Sequence, residues 1–183
     1  MTKIDLLNRN FLPGELKAFL SDYPRVEWDT HPNFTNFAEF WLQRHEMFRK
    51  LGQHLVQLSQ AILNNDIDTK EFQKQTLTYS GFMLQELHTH HIMEDTFFFP
   101  GIVKYDSKLS AAIDLLEGDH QAISLIVNKY EVLLDEIRLT KEASNCARRL
   151  LECQNGFNEA LKRHLEDEED IIVPAALHYG FIR

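Results

Sequence analysis

The sequence predicts an all-α fold, an antiparallel up-down-up-down four-helix bundle behind an irregular N-terminal lead-in. Three observations lead there. Glycine and proline are scarce, 7 and 5 in 183 residues, and strand-like alternation is missing over most of the length. Four stretches each carry one apolar stripe at steps of three and four, the spacing of a single helix face. The connections between them are short, which makes consecutive helices antiparallel neighbours.

Residues 1–32 form the lead-in, punctuated by Pro13, Pro24 and Pro32. A short helix over about 14–21 fits, and Phe11, Tyr23 and Trp28 supply aromatic surface to pack on the body. Residues 33–183 form the bundle. The first helix carries Phe34, Ala38, Trp41, His45, Phe48, Gly52, Leu55 and Ile62 on one stripe and ends near Asn64, Asn65 and Asp66. Asp68 with Glu71 three residues later is a capping-box signal that opens the second. Its stripe is Thr76, Met83, Leu87, His90, Glu94 and Phe97, closed by Pro100 and Gly101. Asp106 or Ser107 caps the third, with Ile113, Leu116, His120, Ile123, Val127, Tyr130, Leu133 and Ile137. Thr140 opens the fourth, with Leu150, Phe157, Leu161, His164, Glu168 and Ile171.

Bulk properties narrow the function. A formal charge of −9 argues against nucleic-acid or anionic-membrane partners, which need a basic surface. Cys146 and Cys153 lie seven apart in a helical stretch, about 10 Å along the axis, too far for a disulfide. Free thiols point to a reducing compartment. The first residues lack the layout of a signal peptide, and no apolar run approaches membrane length. A cytoplasmic location is expected.

The chain repeats itself. A shift of 75 places Trp41, His45, Phe48 and Leu55 on Leu116, His120, Ile123 and Tyr130. A shift of 74 places Met83, Leu87, His90, Glu94, Phe97 and Pro100 on Phe157, Leu161, His164, Glu168, Ile171 and Pro174. Each half thus offers a histidine and, four residues on, a glutamate on one helix face. His91 with Asp95 makes a similar pair one residue off. The repeat selects His90, which precedes Pro100 by ten, as His164 precedes Pro174.

In such a bundle, the starts of odd helices and the ends of even ones share one end. His45, His90, His120 and His164 then lie at one level, on the order of 15–18 Å from that end at the α-helical rise. Glu94 and Glu168 sit one turn nearer. Nine histidines in so acidic a chain give roughly one or two such pairs by chance. Chance does not readily supply six donors in register on inward stripes. Burying them without a cation costs on the order of several kcal/mol per unpaired charge, so a metal centre is expected. Six N/O donors without thiolate suit iron or manganese better than structural zinc. Two carboxylates between two histidine pairs suggest two bridged ions, His45 and His90 serving one, His120 and His164 the other.

These features, RHEMFRKL around His45, HHIMEDTFFFP from His90, GDH ending at His120 and HLEDEEDIIVP from His164, make residues 34–176 resemble the hemerythrin-like family of non-heme di-iron proteins. The resemblance implies two carboxylate-bridged iron ions on His45, His90, Glu94, His120, His164 and Glu168. It implies binding or sensing of dioxygen or a related small oxidant such as nitric oxide, and a binder in preference to an enzyme. The alternatives are a di-iron enzyme reducing nitric oxide or peroxide, and an iron or oxygen sensor acting through a protein partner. Oxygen-carrying members have a further histidine one turn after the third-helix ligand, where this chain has Ser124. By ligand count each iron then keeps one open position, which resembles the members linked to iron–sulfur repair. Those also carry an N-terminal cysteine-bearing module, and the lead-in here contains no cysteine. The ferritin-like alternative needs two Glu-x-x-His pairs, and only Glu117 with His120 supplies one.

Around the site, His91 and Asp95 are expected to flank it or face a neighbouring helix. His54 and His88 point outward, and His31 and His178 are incidental. Glu86 is a candidate acceptor for an imidazole N–H or a solvated carboxylate. Trp41, Phe48 and Phe97 to Phe99 keep the site dry. Gly52, a mid-helix glycine, reads as close helix packing or as a gap that admits a small gas.

Overall fold

The computed structural model describes residues 6, 8, 9, 12–14 and 19–180, with the side chains of Asn36 and Phe37 outside that set. Among the described residues all regular structure is helical. α1 spans Asn36–Leu63, α2 Thr69–Met93, α3 Phe99–Tyr105, α4 Ser110–Leu139 and α5 Ala143–Tyr179. None of them is long and apolar enough to cross a membrane. The short helix expected over 14–21 and the packing of Phe11 fall largely on residues outside the described set.

The helix boundaries follow local chemistry. The Thr35 hydroxyl faces the Ala38 N–H at the start of α1, and α1 stops before Asn65, which takes a left-handed φ of 63°. Asp68 accepts from the Glu71 N–H at 2.9 Å, as the capping signal requires. Asp106 accepts from the Lys108 N–H at 2.9 Å and opens a 3-10 turn, Ser107–Leu109, that leads into α4.

Pro100 and Gly101 do not close the second helix. The rod continues through a π-helical turn, Glu94–Phe98, into α3 and ends at Tyr105. Proline lacks an N–H and its ring crowds the carbonyl four residues back. Here Pro100 falls in the first turn of α3, after the ladder has widened, where that loss is tolerated. The wide turn also moves the stripe. Phe97 is 63% exposed, and Phe99, at 1%, takes the inward place expected of it. Pro174, its repeat partner, lies inside α5, which runs on to Tyr179.

The chain divides into two compact units, and each long helix except α3 supplies both or, in the case of α2, passes from one to the other at Ile92. The first unit comprises Met1–Glu46, Ile92–His120 and Lys162–Arg183. Its core joins Leu12 and Trp28 of the lead-in to Trp41, Phe99, Leu116 and Ile171. Each such burial contributes about 1.5–3 kcal/mol, which holds the lead-in on the helices. The second unit comprises Met47–His91 and Gln121–Leu161. Phe48, Leu55, Phe72, Met83, Ile123 and Phe157 are buried in it.

One polar cluster interrupts the second unit's core. Ser59 on α1 donates to Gln154 on α5 at 2.8 Å, Gln154 donates to the Tyr130 hydroxyl on α4 at 3.0 Å, and Ser80 on α2 meets that hydroxyl at 3.0 Å. Burial pushes the Tyr130 hydroxyl up to about 12. At Gly52 an added Cβ would collide with the Asn158 carboxamide, whose Nδ2 donates to the Gly52 carbonyl at 3.0 Å. The glycine is there for close packing of α1 and α5.

Candidate metal centre

The first unit concentrates the predicted donors. α1 presents His45, the π turn Glu94, α4 His120, and α5 both His164 and Glu168, and all five are buried. The stripe spacing on each helix is what turns these residues inward with their apolar neighbours. Donor atoms of His45, Glu94 and Glu168 lie within 4.8 Å of one another. Nε2 of His120 and Nε2 of His164 approach to 3.2 Å. Glu168 ties the two sets together, because its Oε2 is 3.5 Å from Nε2 of His45 and 3.5 Å from Nε2 of His164. Glu94 Oε2 is 3.6 Å from Nε2 of His120. His90 and His91, also buried, occupy the last turn of α2, four and three residues before Glu94.

The tautomers follow from the partners on the other ring nitrogen. His45 Nδ1 meets Glu169 Oε1 at 3.0 Å, and His120 Nδ1 meets Asp95 Oδ1 at 2.7 Å. A carboxylate only accepts, so Nδ1 carries the proton and Nε2 keeps its lone pair. His164 Nδ1 lies 3.6 Å from Asp119 Oδ2, beyond hydrogen-bond reach. Two imidazoles therefore turn lone pairs toward one place, each backed by a carboxylate. Trp41 fixes Glu94 by donating its indole N–H to Oε1 at 2.9 Å. Its ring also lies 4.6 Å from that of His45, and Phe99 stacks on His120 at 5.6 Å, so aromatic surface lines this region.

This set of donors fits a cation. No donor among the described residues hydrogen-bonds either oxygen of Glu168, although the residue is fully buried. Burial, and after it the Glu94 carboxylate alongside, push the Glu168 carboxyl well above its ordinary range. The approach of His120 Nε2 to His164 Nε2 at 3.2 Å brings a second pair of nitrogen donors beside it. Histidine nitrogen and carboxylate oxygen without thiolate suit iron or manganese.

Some contributors were not anticipated from the residue pattern. Asp95 was expected to flank the site or face a neighbouring helix; it faces α4, where it holds His120. Asp119 and Glu169, which the sequence reading did not single out, sit beside ligand candidates in sequence and are buried. Ser124, the position where a further histidine was considered, is exposed. His88 is exposed as expected, and His178 is exposed and stacks on Phe19 at 4.6 Å.

Comparison with known proteins agrees with this geometry. The Iron-sulfur cluster repair protein YtfE of Yersinia pseudotuberculosis serotype O:1b is 24% identical over 174 residues, covering 93% of this chain and 78% of that protein. The Iron-sulfur cluster repair protein YtfE of Yersinia pestis is similar to the same extent, 24% over 174 residues. No solved structure matches. The hemerythrin HHE cation-binding domain family matches residues 36–176, a span that contains all six predicted ligands. The chain belongs to the hemerythrin HHE cation-binding domain family.

Proposed function

We propose that this chain is a non-heme di-iron protein that binds dioxygen or a related small oxidant. Residues 33–183 are read as an antiparallel bundle, with residues 1–32 as its lead-in. One iron is assigned to His45 and His90, the other to His120 and His164, with Glu94 and Glu168 bridging. The observation that carries the reading is the orphaned, buried carboxylate of Glu168, equidistant at 3.5 Å from imidazoles of two helices.

When bound, iron supplies one-electron redox chemistry and an open position for a small ligand. The chain's own groups do the rest. Glu169 and Asp95 hold the imidazole protons of His45 and His120 on Nδ1 and keep Nε2 available. Trp41 fixes the orientation of Glu94, and Phe99 and Trp41 exclude water around His120 and His45. A location in the cytoplasm fits free thiols at Cys146 and Cys153.

The likeness to proteins named for iron–sulfur cluster repair favours a second reading, in which the centre reduces nitric oxide or peroxide. A third, an iron or oxygen sensor, needs a protein partner. Rapid mixing of the anaerobic diferrous protein with dioxygen, nitric oxide and peroxide separates them. A stable, reversible dioxygen adduct supports the leading proposal, and repeated turnover supports the enzyme. Protein from iron-replete cells that carries no metal and melts normally refutes all three.

A further inference from the structure

The lead-in reaches the acidic groups behind the histidines at two points, through two arginines. Arg25 precedes Trp28 in a 3-10 turn, Arg25–Thr30, and its guanidinium lies 5.0 Å over the Trp28 ring. It donates from Nη1 to Glu169 Oε2 at 2.8 Å and from Nε to Asp170 Oδ1 at 2.8 Å. Glu169's other oxygen is the one that holds His45 Nδ1, at 3.0 Å. Arg9 is fully enclosed. It donates from Nη1 and Nη2 to both oxygens of Asp119, at 3.2 and 2.5 Å, and from Nε to Asp167 Oδ2 at 2.9 Å. Asp119 Oδ2 is in turn the atom 3.6 Å from His164 Nδ1. The order is alike in both places, arginine of the lead-in, carboxylate, imidazole and then Glu168 Oε2 at 3.5 Å, but only Glu169 hydrogen-bonds its imidazole.

We propose that Arg25 and Arg9 are positioning residues of the metal centre: Arg25 holds His45 through Glu169 and sets how strongly that imidazole donates, and Arg9 fixes the Asp119 carboxylate beside His164. The inference rests on the metal-binding reading above. A carboxylate that accepts the Nδ1 proton makes Nε2 a better donor and favours the ferric ion. A guanidinium on the far oxygen of that carboxylate draws its charge away and moderates the effect. The planar fork suits this task, because it grips both oxygens of Asp119 and still reaches Asp167. The lead-in is thereby part of the centre's electronic environment as well as a cover for the helices.

The test uses the full chain, loaded anaerobically with ferrous iron. Iron per chain and the midpoint potential are measured for the native protein, R25Q, E169Q and R25Q/E169Q. R25Q is expected to lower the potential and E169Q to raise it. A tenfold change in the ferric–ferrous equilibrium in each direction corresponds to about 59 mV for a one-electron step. The double variant is expected to match E169Q, since Arg25 acts through that carboxylate. For Arg9, R9K keeps the charge and loses the fork, and iron release to a chelator is expected to be at least tenfold faster. Unchanged potentials in iron-loaded R25Q and E169Q, or equal release from R9K, overturn the inference while leaving iron binding intact. A native chain that takes up no iron overturns the metal-binding reading itself.

Discussion

Glu168→Gln separates metal binding from folding because it is expected to act with opposite sign on the two. In the metal-free protein the Glu168 carboxylate is fully buried with no hydrogen-bond donor among the described residues. Folding this carboxyl costs either an uncompensated charge or the uptake of a proton, and a neutral amide of equal shape removes that cost, about 1–3 kcal/mol. The new amide can also donate to Nε2 of His45 or of His164, each 3.5 Å from the present oxygen. At this chain length a kcal/mol moves the melting point by about 2–4 °C, so metal-free E168Q should melt several degrees above the native protein. An ion at a hundredfold its Kd adds about 2.7 kcal/mol to the native protein, or about 5–10 °C on the same scale. E168Q should lose most of that increment together with part of its iron. Scanning calorimetry with and without ferrous iron, and iron per chain, read both effects. If metal-free E168Q melts below the native protein and keeps the full iron-induced increment, Glu168 is an ordinary core residue and the argument fails.

Three further substitutions probe the scaffold. Gly52→Ala gains about 1 kcal/mol of helix propensity but drives a Cβ into Asn158, an overpacking cost of about 1–3 kcal/mol. A denaturation midpoint below native, recovered in G52A/N158A, is expected. Tyr130→Phe leaves Gln154 and Ser80 short of a buried partner, a loss of about 1–3 kcal/mol, and calorimetry should show it with iron per chain unchanged. The Asp106 carboxyl is held below the ordinary 3.8, first by the Lys108 N–H and then by the Tyr179 hydroxyl. Its folded value lies under its unfolded one, so the contribution is complete above the ordinary value and is lost as pH falls through the folded midpoint. An NMR titration should place that midpoint below 3.8 and move it upward in Y179F.

The helices were legible because their periodicity is strong and their ends carry caps such as Asp68 and Asp106. The buried donors were legible because His45, His120, His164, Glu94 and Glu168 are polar residues standing on apolar stripes. The repeat was needed to choose between His90 and His91. The π turn was not legible, since a proline ten residues after a histidine reads as a stop. One extra residue in a turn was enough to exchange Phe97 for Phe99. The carboxylates behind the imidazoles stayed hidden for another reason. In HLEDEED, nothing local singles out Asp167 and Glu169, and only the path of the lead-in brings Arg9 and Arg25 to them. Such partners are decided by tertiary contacts of high sequence separation, to which local pattern is blind.

The Ser59–Gln154–Tyr130–Ser80 cluster draws one side chain from each of α1, α5, α4 and α2. It works as an alignment key. Leucine stripes tolerate slippage, because one apolar contact replaces another, whereas a hydroxyl and an amide accept few substitutes. Sliding α4 by one turn would carry the Tyr130 hydroxyl about 5.4 Å from its partners. The four polar residues thus set the register of the helices within the second unit, and combinatorial repacking of its apolar stripes should keep one cooperative melting transition only while they are retained.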